Sequence, residues 1–274
     1  MQHRELVIDA HHHLIGEEGY VDKLIKTMES VGIDKVCLSG LGIGNGQDDL
    51  NKFNLGSLSP TNDDVLAAMQ KYPEHIIGFG VIQLGRDDVN KVDELYKKGF
   101  KGIKITRPLA DYNHDDYMGI YARIAELNMP ILFHTGIVLV THADAQDDVC
   151  SDRMRPIKID RIARRFPKLK IVIAHLGVPW FTEAAEMARF HENVFVDLTG
   201  SNKGWRNRKS ITFFQEIFYW ENAFSKIIFG TDVVAEEIAD SYESQKRILK
   251  LAQVSYDVQR RIFGKTMAEI LQLY

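Results

Sequence analysis

A run of histidines is the first group in this chain whose residue types and spacing could do chemistry. Asp9-Ala10-His11-His12-His13 directly follows the apolar residues Leu6-Val7-Ile8. Because side chains on a β-strand alternate between faces, we expect His11 and His13 to point the same way with Asp9 behind them, and His12 to point to the other side. Two imidazoles that converge in this way can hold a divalent transition metal if later segments supply further ligands.

Three later apolar runs also end in residues that can bind metal. His134 follows the run Ile131-Leu132-Phe133, His175 follows Ile171-Val172-Ile173-Ala174, and Asp232 follows Ile227-Ile228-Phe229-Gly230-Thr231. A buried carboxylate among imidazoles needs a compensating positive charge, which a metal ion supplies. The histidines and Asp232 together therefore predict a metal site.

The elements that must position these residues are eight short apolar runs, separated by segments of helical periodicity such as 21–31 and 241–251. The predicted strands cover residues 6–13, 35–39, 76–83, 102–106, 131–135, 171–176, 194–199 and 227–232. Alternating strands and helices indicate a parallel sheet covered by helices, and eight such units predict an α/β protein with a (β/α)8 TIM barrel. An open doubly wound sheet is the alternative, but no phosphate-binding turn is present. We expect one domain over residues 1–274, with the final helices, 255–273, packing outside the barrel.

Further polar residues should point into this barrel. Lys104 lies between Ile103 and Ile105, and it would serve as an ion-pair partner, as a contact to an anionic substrate, or, when carboxylated, as a bridge between two metals. Asp197 and Thr199 should also face inward. Asp197 would support a metal ligand, pair with Lys104, or make an ordinary core hydrogen bond.

Two long irregular stretches follow predicted strands, at the end of a barrel where active sites are built. Residues 40–60 contain four alternate glycines without the lysine of a phosphate-binding loop, so we predict a mobile lid. The candidate substrate contacts lie in loops after strands and are Arg107, His142, Trp205 and Arg206, with Arg153, Arg155, Lys203 and Arg208 as further cations.

Composition excludes several partners. Lys and Arg number 34 against 38 Asp and Glu, so a formal charge of −4 gives no general attraction for nucleic acid or an anionic membrane. Neither a long apolar segment nor a signal sequence is apparent. Cys37 and Cys150 form no disulfide framework, so we expect a cytoplasmic protein whose partner is a small molecule, with a homodimer as the commonest assembly.

The ordered motifs resemble the amidohydrolase superfamily over essentially the whole chain. The matching pieces are Asp9-Ala10-His11-His12-His13, Gly99-Phe100-Lys101-Gly102-Ile103-Lys104, Phe133-His134-Thr135-Gly136, Ala174-His175-Leu176-Gly177 and Phe229-Gly230-Thr231-Asp232. The branch most resembled contains aminocarboxymuconate-semialdehyde decarboxylase, resorcylate-type decarboxylases and pyrone-dicarboxylate lactonase.

This resemblance implies that His11, His13, His134 and Asp232 bind one divalent metal, zinc in the first place and manganese in the second. It implies catalytic roles for His175 and Asp232. Lys104 is the third candidate catalytic residue, and we expect it to be unmodified because the branch is mostly mononuclear.

These features leave more than one function open. The first expectation is a hydrolase that uses a metal-activated water on a small anionic lactone, ester or amide. The alternative is a non-oxidative decarboxylase of an aromatic or muconate-type acid, which the short chain makes less favoured. An inactive binding barrel is disfavoured because no expected ligand is missing, and a nuclease because no basic stripe is present.

Overall fold

Eight parallel strands form the centre of the protein. The structure, a computed structural model, describes residues 5–41 and 59–273. The strands are β1 (Ile8–His13), β2 (Lys35–Ser39), β3 (Ile76–Ile82), β4 (Gly102–Ile105), β5 (Ile131–Phe133), β6 (Ile171–Ile173), β7 (Val194–Asp197) and β8 (Ile227–Ile228). Neighbours in the sheet follow sequence order, and every pair is parallel. The amide of Ala10 donates to the carbonyl of Phe229 at 3.0 Å, which joins the first strand to the last. The predicted TIM barrel is confirmed.

Helices connect the strands and cover the sheet. They are α1 (Tyr20–Val31), α2 (Asn62–Lys71), α3 (Val89–Lys97), α4 (Met118–Glu126), α5 (Asp160–Arg165), α6 (Phe181–Phe190), α7 (Ile211–Ile217), α8 (Ile238–Leu251), α9 (Tyr256–Arg260) and α10 (Thr266–Ile270). Several strands end before the predicted boundary, so His134, His175 and Asp232 lie just beyond β5, β6 and β8. Among the residues that the structure describes, no helix has the length and apolarity needed to cross a membrane.

The core has two apolar layers. The outer layer lies between strands and helices and contains, for example, Ile103, Phe133 and Tyr121. The inner layer fills the barrel below the site with inward side chains such as Ile8 and Phe79. Its other members come from the C-terminal segment and are Met267, Ala268, Ile270 and Leu271. The final helices were expected to pack outside the barrel, and α10 does so at one end, where its side chains cover the inner layer.

Gly264, just before α10, is essential to this closure. A Cβ atom built there would lie 1.9 Å from the carbonyl oxygen of Leu6, and backbone cannot move away as a side chain can. We expect Gly264→Ala to lower the free energy of unfolding by roughly 3 kcal/mol, measured by urea denaturation.

Gly119→Ala is the matched control for this change. Gly119 lies inside α4, and a Cβ there would meet only Val89 Cγ2 at 3.9 Å. This variant should gain up to about 1 kcal/mol from helix propensity. Equal stability of the two variants would contradict the close contact at Gly264.

Candidate metal centre

An irregularity in β1 positions the histidine run. The register between β1 and β2 shifts between Asp9 and His12. The rings of His11 and His13 lie together with centroids 5.3 Å apart, whereas His12 Nε2 contacts the Tyr20 hydroxyl of α1 at 2.9 Å. His12 therefore faces the helices, as expected from alternation.

Asp9 is not behind His11, which corrects the expectation for that residue. Its Oδ2 atom accepts a hydrogen bond from Thr231 Oγ1 at 2.5 Å and lies 3.7 Å from His12 Nδ1. A bulge accounts for this placement because it interrupts the alternation of side chains along a strand. Asp9 thus connects β1 to the segment that follows β8.

The predicted ligands meet at the C-terminal ends of the strands. His13 Nε2 lies 3.5 Å and His11 Nε2 3.8 Å from Asp232 Oδ1. The ring centroids of His134 and His175 are 5.0 Å apart, and those of His11 and His175 are 5.2 Å apart. The ligand atoms of His11, His13 and Asp232 lie within 4.8 Å of one another, and His134 lies next to His175 at the same end of the barrel.

Hydrogen bonds at Nδ1 place the lone pairs of two histidines on Nε2, the nitrogens that face Asp232. His11 Nδ1 donates to Asp197 Oδ2 at 2.8 Å, and His13 Nδ1 donates to the carbonyl of Gly40 at 2.8 Å. In each neutral ring the proton is then on Nδ1 and the lone pair is on Nε2. Asp197 thus supports His11 in the way considered from the sequence.

His134 supplies the clearest test of whether a metal would fit. Its Nε2 atom is buried and has no hydrogen-bond partner among the described residues. Its amide donates to the Ile105 carbonyl at 2.8 Å, and its carbonyl accepts from the Tyr112 hydroxyl at 2.7 Å, so the residue is held firmly. A buried polar atom without a partner costs free energy. A metal ion at this nitrogen would remove that cost.

The protonation states also suit a metal. Burial lowers the pKa values of His11, His13 and His134 well below the usual value for histidine. These imidazoles are therefore neutral at pH 7, and the neutral form is the one that binds metal. Imidazole nitrogens with one carboxylate are a donor set suited to zinc or manganese.

His175 is held beside these ligands by a network of hydrogen bonds. Thr199 Oγ1 donates to Asp197 Oδ1 at 2.6 Å, so it accepts from His175 Nδ1 at 2.7 Å. The lone pair of His175 is then on Nε2, and burial lowers the pKa of the ring to about 4. His175 and Asp232 both have left-handed backbone conformations, with φ of 57° and 49°. Such strain in non-glycine residues is concentrated at functional sites.

Lys104 lies at the centre of the same group. The side chain is 1% exposed, and Nζ is 2.7 Å from His11 Nε2. Burial lowers the pKa of Lys104 and raises the pKa of Asp232, and the attraction between the two charges opposes both shifts. Lys104 and a metal would use the same lone pair of His11 Nε2, so His11 could hold a metal only if Lys104 gave up this contact.

A cavity of about 440 Å³ opens above these residues. We refer to it as the site cavity. Its walls are largely apolar and include Ile15, Leu41, Leu139, Val178 and Trp205. The volume is that of a small-molecule site.

The predicted substrate contacts differ in whether they line the site cavity. Trp205 lines the site cavity, and its Nε1 donates to the Thr199 carbonyl at 3.0 Å, which fixes the indole. Arg107 also lines the cavity, but its guanidinium bonds Asp144 Oδ1 and the Leu139 carbonyl, both at 2.6 Å. Arg107 therefore holds the loop after β5.

Arg206 does not reach the site cavity, which corrects its assignment as a substrate contact. The residue is fully buried, and its guanidinium donates to the carbonyls of Leu198 at 2.6 Å and Gly200 at 3.3 Å. Burial lowers its pKa to about 10. Arg206 is a structural residue that supports the loop carrying Thr199 and Trp205.

The remaining expectations concern loop residues. Arg153 bonds Asp148, Arg155 bonds Glu183, and Arg208 donates to the Lys203 carbonyl at 3.0 Å, so these cations lie outside the cavity wall. The side chain of His142 and most of the predicted lid, residues 42–58, lie outside the part of the chain that the structure describes.

Sequence reasoning missed Glu237, which lines the site cavity. It also missed the apolar wall formed by Ile137 and Leu139 in the loop after β5. Their positions in the sequence could have indicated these contacts, because both segments lie in loops that follow barrel strands.

A comparison with protein-family models identifies the class of protein that this barrel and its site define. Residues 8–273 match the model described as amidohydrolase. The chain therefore belongs to the amidohydrolase family and is an enzyme of that family, as the resemblance implied. A comparison with curated proteins found no match.

Solved structures with the same fold cover nearly the whole chain. An uncharacterised TIM-barrel protein from Bordetella bronchiseptica is 18% identical with a TM-score of 0.70, and the match covers 97% of this chain and 98% of that one. The 2,6-dihydroxybenzoate decarboxylase from Rhizobium is 16% identical with a TM-score of 0.67, covering 98% and 99%. A dihydroxybenzoic acid decarboxylase from a Polaromonas species, with bound manganese and the inhibitor 2-nitroresorcinol, is 15% identical with a TM-score of 0.65, covering 98% of each chain.

Proposed function

We propose that this protein is a metal-dependent non-oxidative decarboxylase of a small carboxylic acid with a planar, apolar body. The observation that carries the proposal is the meeting of His11, His13 and Asp232, whose ligand atoms lie within 4.8 Å of one another, at the base of a largely apolar cavity. Lys104 lies against His11, and His134 lines the same cavity. Structural neighbours that are decarboxylases support this reaction over the hydrolysis favoured by the sequence alone.

The proposed ligands are His11, His13, His134 and Asp232, and the metal is zinc or manganese. Manganese in neighbouring structures makes it a stronger candidate than the sequence suggested. The metal would supply Lewis acidity and a fixed point of attachment for the substrate carboxylate. Lys104, buried beside His11, would offer a positive charge to the same carboxylate.

The apolar walls of the site cavity favour loss of a carboxylate charge. A carboxylate is poorly solvated there, whereas carbon dioxide is neutral. Trp205, fixed by its bond to the Thr199 carbonyl, offers a flat surface against which a planar body can stack.

Asp232 is the proposed proton donor in the reaction. The proton would be carried on Oδ2, which lies 3.7 Å from His175 Nδ1, while Oδ1, the oxygen near His11 and His13, would remain for the metal. This proton would pass to the carbon that bears the substrate carboxylate. The bond between that carbon and the carboxyl carbon then breaks, its electron pair remains with the substrate carbon, and carbon dioxide leaves. Solvent restores the proton on Asp232.

Hydrolysis remains a second candidate because of one observation. His175 Nδ1 and Asp232 Oδ2 are 3.7 Å apart, and His175 keeps a lone pair on Nε2. This pair could take a proton from a water that attacks a lactone or ester carbonyl. Retention of all carbon in the product would distinguish this reaction from decarboxylation.

The two reactions are separated by isotopic labelling. We expect protein loaded with Mn²⁺ or Zn²⁺ to release carbon dioxide from a member of a panel of hydroxybenzoates. In heavy water, deuterium should appear at the carbon that lost the carboxylate, as followed by NMR. Metal-stripped protein is the control. Ring opening of aromatic lactones without carbon dioxide would favour hydrolysis, and absence of both products would contradict the proposal.

A further inference from the structure

The wall of the site cavity carries one carboxylate that the proposed reaction does not use. Glu237 follows the loop after β8 and lines the cavity. Its amide donates to the Val234 carbonyl at 2.9 Å, and its own carbonyl accepts from Asn202 Nδ2 at 3.2 Å. The backbone at Glu237 is therefore fixed by both of its polar groups.

The carboxylate of Glu237 has no partner of its own within residues 5–41 and 59–273. Its neighbour Glu236 provides a contrast, since that side chain is 59% exposed and pairs with Lys23 at 2.6 Å. A carboxylate without a partner in the wall of a binding cavity attracts hydrogen-bond donors and repels anions.

The cations in the described cavity wall already have partners. Lys104 and Arg107 are its cations. Lys104 lies against His11 within the proposed metal centre, and Arg107 is paired with Asp144. Within the described wall, a substrate has a binding place for one carboxylate, at the metal and Lys104, and no second cation for another.

We infer that Glu237 selects a monocarboxylic acid whose apolar body carries a hydrogen-bond donor, and rejects acids with a second carboxylate. This inference rests on the proposed function, because the first carboxylate is placed at the metal centre. The donor, a hydroxyl or an amino group, would bond the Glu237 carboxylate. A second carboxylate would meet that negative charge in the cavity wall, and like charges repel.

The inference is tested by binding, which needs no turnover. Protein loaded with Mn²⁺ is titrated calorimetrically with meta-hydroxybenzoate and with isophthalate, two acids of similar size that differ in one group. We expect meta-hydroxybenzoate to bind at least about tenfold more tightly. Glu237→Gln, which keeps the shape of the side chain, should reduce this preference to about threefold or less.

Glu236→Gln is the matched control and should keep the full preference, because Glu236 pairs with Lys23 outside the cavity wall. Equal affinity for both acids in the unaltered protein, or binding of neither, would overturn the inference. An unchanged preference in Glu237→Gln would overturn it as well. Loss of the proposed function would instead appear as absence of carbon dioxide release while the binding preference remains.

Discussion

Replacing His134 with alanine is expected to weaken metal binding by at least about 100-fold. The reason is that His134 Nε2 is buried and has no hydrogen-bond partner among the described residues, so its lone pair is available to a metal. In the unaltered protein, metal at 100 times its dissociation constant should stabilise the fold by about 2.7 kcal/mol. The variant should lose this gain and its turnover, as measured by calorimetry, metal analysis and thermal unfolding with and without Mn²⁺.

Metal-free protein gives the matching internal test. Because no described residue bonds His134 Nε2, removal of the ring should leave stability without metal nearly unchanged apart from the lost packing. His114→Ala is the control, since His114 is 48% exposed on a surface turn. If His134→Ala bound metal as tightly as His114→Ala, the assignment of His134 as a ligand would be wrong.

Asp232→Asn is expected to lower turnover by about 10³-fold or more, because the amide cannot donate the carboxyl proton and is a weaker metal ligand. The side chain keeps its size and stays among His11, His13 and His175, so the fold should persist. Turnover is measured at metal concentrations high enough to saturate the variant, which separates loss of the proton donor from loss of metal.

Asp240→Asn is the control for this change. Asp240 is an exposed residue of α8, so its charge should have little influence on the site. Turnover within threefold of the unaltered protein in Asp232→Asn, at saturating metal, would be incompatible with a role for Asp232 as proton donor.

The fold could be predicted from the sequence because its signal is repeated. Eight apolar runs separated by helical segments each indicate one strand–helix unit. The architecture therefore agrees with the prediction although the observed strands are shorter than predicted. The metal-binding candidates were predictable for a related reason. In a parallel barrel all C-terminal strand ends meet at one edge, so polar residues such as His134 and Asp232 must come together there.

Other features depend on local geometry that periodicity does not encode. The bulge in β1 turns Asp9 towards Thr231, although strict alternation places it behind His11. Arg206 looks like a surface cation in the sequence, but its guanidinium is buried and donates to backbone carbonyls in the interior. The sequence does not distinguish Glu237 from other surface carboxylates, and only the fold of the loop after β8 places it in the cavity wall. Contacts of these kinds are set by how loops fold, which sequence spacing does not specify.

The contact between Asp9 and Thr231 gives the site a particular dependence on the completed chain. These residues are 222 positions apart, and their hydrogen bond lies where β1 meets the segment after β8. His11 lies two residues after Asp9, and Asp232 directly follows Thr231, so the proposed metal would connect the first strand of the barrel with the segment after the last. Because such a site does not exist in the unfolded chain, the metal would bind and stabilise only the folded barrel. Metal binding would therefore require the completed barrel, since a barrel without its eighth strand lacks Asp232, one of the proposed ligands.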